Sequence, residues 1–254
     1  MPASVRSAVL ALTLTASLAA CATQPPASDP DAAAEYRQNN DPLEPGNRFM
    51  YAVNDGLDTY LLRPVAVAYR FAVPGAVRRP LHNVLTNIAS PVVFANDVMQ
   101  TKPRRAGDTM MRFLINTTVG VGGLFDVATD WGYPAHNTDF GVTMALWGVG
   151  EGPYLFLPVL GPSNSRDATG FAANTALDPF TWTSFGGANA LRYSKFGLGV
   201  VDTRERLLDP IDQLKKDALD PYATFRSLYH QNRQSEIDKT REDNRATVPA
   251  WFNR

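Results

Sequence analysis

The stretch Trp147–Pro162, WGVGEGPYLFLPVLGP, decides how the rest of the chain is read. Its first half carries Gly148, Gly150 and Gly152, which lack the Cβ that restricts backbone angles, and so reads as a hinge. Its second half, Tyr154, Leu155, Phe156, Leu157, Val159 and Leu160, is apolar and interrupted only by Pro158. That run is far shorter than the roughly 20 apolar residues a helix needs to span a bilayer. Pro153, Pro158 and Pro162 each lack an amide proton and crowd the preceding turn, which prevents a clean helix. The segment reads as a greasy hairpin or broken segment on a glycine hinge. Two roles fit: a buried loop between helices, or a mobile apolar wall of a lipid-handling cavity.

Outward from it the pattern is helical and punctuated by Pro and Gly. Upstream, Asp41-Pro42 starts a helix in which Phe49, Met50, Val53, Leu57, Tyr60 and Leu61 recur near 3.6-residue spacing, and Pro64 is expected to stop or kink it. Pro74 and Pro80 open a second segment with Leu81, Val84, Leu85 and Ile88, and Pro91 begins a third. Between Gly107 and Thr118, five apolar residues from Met110 to Ile115 fall on more than one side of a helix, which predicts deep burial or contact with lipid. A short helix around Phe140 to Trp147 leads into the quoted stretch. Downstream, Ser163 to Asp167 can cap a helix starting near Arg166, closed by Asp178-Pro179. Thr203–Leu219 and Tyr222–Lys239 are amphipathic and split by Asp220-Pro221, and the charged residues from Glu236 on are expected to fray. No set of alternating strands and no internal repeat is visible, so the class is all-α.

The N-terminus reads as a targeting segment. Arg6 precedes the apolar run Ala8–Ala19, which has the length of a signal-peptide core and is too short for a transmembrane helix. It ends Leu18-Ala19-Ala20-Cys21, small residues before the single cysteine, like a bacterial lipobox. The expected chemistry is lipidation of Cys21 and cleavage before it, giving more than one acyl chain, as stable anchoring requires. Ala22, where Asp would favour retention in the inner membrane, favours sorting to the outer membrane. Residues 22–40 hold Pro25, Pro26 and Pro30 with few large apolar side chains and read as a flexible tether spanning roughly 25 Å. The organisation expected is residues 1–20 signal peptide, 21–40 lipidated cysteine and tether, 41–230 helical domain, and 231–254 charged tail.

Composition removes several function classes. With 24 basic and 25 acidic residues the formal charge is −1, so there is no basic field for nucleic acid. Gly120-Val121-Gly122-Gly123-Leu124-Phe125 has Phe where a dinucleotide fingerprint needs its last Gly, and the Gly148 cluster lacks the Lys-Ser/Thr pair of a P-loop. No G-x-S-x-G elbow occurs, and His82, His136 and His230 are too scattered in sequence to suggest a metal site. No catalytic residue, cofactor or metal is therefore expected. Arg112, Asn116 and Asp126 sit among apolar residues, and Arg166 and Asp167 follow the greasy stretch. They read either as buried pairs and caps or as the lining of a polar path, with Arg112, Asn116, Arg166 and Asp167 the candidates.

These residues also carry a resemblance. Asp41-Pro42-Leu43-Glu44 with Asn47-Arg48, Asn54 and Arg63-Pro64-Val65-Ala66 resembles the opening of the MlaA/VacJ outer-membrane lipoproteins. Asn83, Asn87, Asn96 and Gln100, then Arg112-Phe113, Asn116-Thr117-Thr118 and Gly122-Gly123 continue it. Phe140-Gly141, Gly148-Val149-Gly150, Gly152-Pro153-Tyr154, Gly161-Pro162 and Arg166-Asp167 match its most characteristic block. The family's Gly-Phe before Asn-Arg is Pro45-Gly46 here. The resemblance implies a ring-like bundle of short amphipathic helices seated in the inner leaflet of the outer membrane, with an amphipathic channel. Its implied partners are phospholipids, a trimeric porin and the periplasmic carrier MlaC. Its implied function is to remove mislocalised phospholipids from the outer leaflet without cleaving them. In that setting Gly148, Gly150 and Gly152 become the hinge, and Tyr154, Leu155, Phe156 and Leu157 the wall, of the lipid path. The alternatives are a lipoprotein phospholipase and a structural porin-associated lipoprotein.

Overall fold

The computed structural model describes residue 36 and residues 39–243; the expected signal peptide, Cys21, nearly all of the expected tether and residues 244–254 lie outside the described residues. The first apolar stripe forms α1 (Glu44–Leu57), and the helix does not stop at Pro64. Five residues, Asp58–Leu62, widen into a π turn, and α2 (Arg63–Ala72) follows directly, with Pro64 in its first turn. The widened turn gives the proline ring the room that a tight preceding turn would deny it.

Pro80 and Pro91 likewise do not divide the next segment; both lie inside one helix, α3 (Gly75–Met99). An interior proline removes one hydrogen bond and costs ~3 kcal/mol in an isolated helix, and here α4 (Pro103–Thr118) packs along α3 and holds it together. α4 buries Ala106, Thr109, Ile115 and Asn116 but leaves Met110, Met111 and Leu114 facing outward. The turn after α4 leads to α5 (Val127–Asp130), capped by Asp126, and then α6 (Phe140–Leu146), capped by Asp139.

The quoted stretch is a hairpin. β1 (Tyr154–Leu157) pairs antiparallel with β2 (Gly161–Asn164), Tyr154 opposite Asn164 and Leu157 opposite Gly161. It is the one sheet among the described residues, so the class remains all-α. Two strands alone are marginal in water, and α1 supplies what is missing. Asn47 donates to the Tyr154 carbonyl at 3.0 Å and accepts from the Phe156 amide at 2.9 Å. Asn54, two turns on, donates to the Leu157 carbonyl at 2.7 Å and accepts from the Val159 amide at 2.9 Å. The two asparagine side chains thus act as a third strand on the open edge of β1.

The second half is helical again: α7 (Ser165–Leu177), capped by Asn164, α8 (Pro179–Trp182), α9 (Ala188–Arg206), α10 (Leu208–Asp217) and α11 (Pro221–Glu242), capped by Asp220. α11 runs on through the stretch expected to fray, because Ile237 packs against Val142 and Ala145 of α6 and Thr240 is buried. The ends of the body are tied together by Asp41, which accepts from Asn47 at 2.7 Å, from Arg226 at 2.7 Å and from the Tyr222 hydroxyl. α9 meanwhile packs on α2 and α3. The helices and the hairpin close a ring around a central space.

Candidate functional site: a two-faced cavity inside the helical ring

A cavity of about 960 Å³ lies between α1, the π turn, the hairpin turn, α7, α8, α9, α10 and α11. That is the upper end of ordinary ligand pockets, about 300–1,000 Å³. Most of its wall is apolar: Phe156, Leu160, Phe171, Phe196, Ile211 and Phe225 are representative. The polar part is concentrated in two groups. On one side stand Asp55, Asp58, Arg204 and Lys215; elsewhere on the wall stand Asp178, Arg192 and Lys195.

The first group is a coupled network. Asp58 accepts from Arg204 Nε at 2.5 Å, from Arg204 Nη2 at 3.0 Å and from Lys215 at 2.9 Å, while Lys215 reaches Asp55 at 2.7 Å. Burial pushes the Asp58 carboxyl up, but Arg204 and Lys215 outweigh it and hold the group below the usual carboxylate range. Burial likewise works against the Lys215 ammonium, and Asp55 and Asp58 overcome it and raise its pKa. In the second group Lys195 pairs with Asp178, and Arg192 donates to the backbone carbonyls of Phe180, at 2.7 Å, and Thr183.

The residues singled out from sequence are distributed as follows. Of the hairpin residues, Phe156 lines the cavity. Tyr154 is fully buried behind it, in an aromatic cluster with Tyr222, Tyr229 and His230. Leu155 and Leu157 point to the other face and are half-buried. The turn residues Val159 and Leu160 and the first residues of β2, Gly161 and Pro162, also border the cavity. Val159 adopts φ 68°, a costly conformation for a β-branched residue, and its amide is held there by Asn54.

The three glycines differ in what holds them. Gly148, at φ 89°, ends α6, and its amide donates to the Ala145 carbonyl at 3.1 Å. Gly152 offers its carbonyl to Asn40 at 2.6 Å, and a Cβ there would meet Ser165 at 3.0 Å. Gly150 has a negative φ and open space around it. Its neighbour Glu151 is tied to Asn40 at 3.4 Å and to His230 at 3.6 Å.

The four polar candidates stand outside the main cavity wall. Arg112 and Asn116 converge on Asp126, at 2.9 Å each. Burial raises the Asp126 carboxyl, and Thr129, Asn116 and Arg112 together bring it below its ordinary value. Arg112 also borders a second cavity of about 260 Å³, which shares Gly199 and Thr203 with the first. Arg166 and Asp167 contact each other at 3.1 Å, and Asp167 also takes Arg233 at 2.6 Å and the Tyr229 hydroxyl at 2.5 Å, joining α7 to α11. Sequence reading missed the cavity's own charges, Asp58, Arg204 and Lys215. Their signal was visible only as polar residues recurring on amphipathic helices, which by default marks a solvated face.

The fold and cavity define a class, a helical ring enclosing an amphipathic chamber. A family model described as MlaA lipoprotein matches residues 39–236, so the chain belongs to the MlaA lipoprotein family. An uncharacterized protein of Rickettsia bellii is 37% identical over 202 residues, covering 79% of this chain and 78% of that one. The "Intermembrane phospholipid transport system lipoprotein MlaA" of Escherichia coli (strain K12) is 36% identical over 201 residues, 78% of each chain. A solved structure, from work on the structural basis for maintenance of bacterial outer membrane lipid asymmetry, superposes with a TM-score of 0.68 at 34% identity, covering 78% of this chain and 98% of that one.

Proposed function

We propose that this chain is an outer-membrane lipoprotein that withdraws mislocalised phospholipids from the outer leaflet and passes them to a periplasmic carrier, without cleaving them. The observation that carries this is the cavity, whose largely apolar wall and separate charged groups match a molecule with acyl tails and a charged head. The relatives' role in phospholipid transport supports it. The outer surface supports it as well. Phe49, Val53, Leu57, Tyr60, Val67 and Phe71 recur every three to seven residues along α1, the π turn and α2, and all are exposed, Phe71 to 93%. No helix among the described residues is long and apolar enough to cross a membrane. A ring lying in one leaflet, held through Cys21, uses such a stripe without crossing the bilayer.

In this reading the hairpin turn, swung on the loop around Gly150, opens and closes the apolar side of the path. Of the proposed wall, Tyr154, Leu155, Phe156 and Leu157, Phe156 meets the cavity and the other three back it. Arg112, Asn116, Arg166 and Asp167 keep the proposed polar role, with Arg112 facing the second cavity as a side branch. A trimeric porin and the carrier MlaC are the partners that the family resemblance suggests. The deciding experiment measures surface-exposed phospholipid in a deletion strain complemented with the intact gene or with Cys21→Ser. The expected outcome is surface phospholipid that rises on deletion and falls only with the intact gene. Unchanged surface phospholipid on deletion would favour the structural porin-associated alternative, and lysolipid released by the purified protein would favour a phospholipase.

A further inference from the structure

The four charges on one side of the cavity are balanced. Asp55 and Asp58 on α1 and the π turn face Arg204 on α9 and Lys215 on α10, and all four line the cavity. Two carboxylates and two cations leave no net charge on this side of the wall; Asp212, 3.7 Å from Arg204 and off the wall, is itself neutralised by Arg63 at 2.8 Å. The network is also incomplete. Arg204 is only 7% exposed, and its Nη1 has no hydrogen-bond partner among the described residues, although Nε and Nη2 are both engaged by Asp58. A guanidinium keeps its charge at all relevant pH, so its unused donor calls for an acceptor. Asp55 holds Lys215 at 2.7 Å yet its side chain stays 40% exposed, leaving an accessible carboxylate in the same network.

Resting on the transport reading above, we propose that this network is a headgroup site selective for a zwitterionic phosphodiester carrying a primary ammonium. The phosphate oxygen takes the free Arg204 donor, and the ammonium is received by Asp55. The acyl chains lie against Phe156, Phe196 and Phe225. A headgroup with a net negative charge gains the Arg204 contact but brings an uncompensated charge toward Asp55 and Asp58, and like charges at close quarters discriminate against it. The cavity's cationic excess belongs to the second group, where Arg192 stands beside the Asp178–Lys195 pair; Arg192 and Lys195 lie twelve and nine residues before Arg204 on α9, so this excess is not part of the balanced network.

The test uses the full-length lipidated protein in micelles containing equal amounts of phosphatidylethanolamine and phosphatidylglycerol with identical chains. Bound lipid is quantified by mass spectrometry after gel filtration. Wild type is expected to retain phosphatidylethanolamine in excess. Asp55→Asn, a change at a half-exposed side chain, should shift the bound ratio toward phosphatidylglycerol by about fivefold, or about 1 kcal/mol. Arg204→Lys preserves the charge opposite Asp58 but removes the fork of donors, and should lower total bound lipid without a comparable shift in ratio. Excess glycerophosphoethanolamine should fail to displace the bound lipid, because it lacks the chains that fill the apolar wall. Efficient displacement would make the ligand a free headgroup and overturn the lipid assignment. If phospholipid is bound but its ratio is the same in wild type and Asp55→Asn, the headgroup site is wrong and the transport reading stands. If no phospholipid is bound at all, both fall.

Discussion

Asn116 shows how a buried polar side chain does structural work that its position in an apolar helix does not announce. Its amide donates to Asp126 and its carbonyl accepts from the Ala128 amide at 2.9 Å, so one residue joins α4 to the cap of α5. Asn116→Ala leaves the Ala128 amide buried without that partner and should cost about 2 kcal/mol in chemical denaturation. Asp126 itself titrates below its ordinary value in the folded state. Its contribution to stability is therefore complete above the unfolded carboxylate value, about pH 4, and is lost as pH falls through the lower folded value. Thermal unfolding followed from pH 6 to pH 2 should show a weaker acid-side decline in Asp126→Asn than in wild type. The carboxyl is about one-third exposed, so the difference is modest. These residues were legible as buried pairs or path lining, and sequence offered no means to choose. The choice depends on which helices meet, and Asp126 lies ten positions from Asn116 across a turn.

Among the elements, the glycine turn after α4 and the hairpin illustrate opposite limits of sequence reading. The cluster 120–123 failed as a nucleotide fingerprint, and packing explains it instead. A Cβ on Gly123, at φ 92°, would lie 2.7 Å from the Asn87 Cβ, whereas Gly122, at φ 71°, has open space. Both alanine substitutions carry left-handed strain, but Gly123→Ala also displaces α3, and should lower the unfolding midpoint clearly more than Gly122→Ala. The hairpin was legible as a hairpin or broken segment because three prolines forbid a helix. Its third strand was not, since nothing in the spacing of Asn47 and Asn54 says that their amides read backbone rather than water. The proposed motion of its turn can be tested at Gly150, where a side chain meets neither strain nor neighbours. Gly150→Val should leave the unfolding free energy within about 0.5 kcal/mol of wild type while raising surface phospholipid in cells. Normal lipid asymmetry with that variant would remove Gly150 from the hinge.

At the scale of the whole molecule, periodicity exposed the amphipathic helices but not the direction of their apolar faces. Core residues and exposed apolar residues obey the same spacing, and only the closed ring separates them. Phe156 and Phe225 turn inward to the cavity, whereas Phe49, Tyr60 and Phe71 remain on the outside, Tyr60 at 86% exposure. Pro80 and Pro91, which sequence read as opening new segments, are interior to one helix for the same reason: packing against α4 holds together what local chemistry would break. If the outer stripe lies in lipid, its side chains supply membrane affinity independent of the acyl anchor. Burying one large apolar side chain contributes about 1.5–3 kcal/mol. Tyr60→Ser with Phe71→Ser, placed in a Cys21→Ser background that removes the anchor, should therefore reduce co-flotation with liposomes at least about tenfold. Because both positions are exposed and neither belongs to a buried cluster, far-UV circular dichroism and the unfolding midpoint should stay unchanged. Equal flotation of the parent and the double variant would mean that the stripe does not touch the bilayer, and that the ring is held at the membrane by its lipid alone.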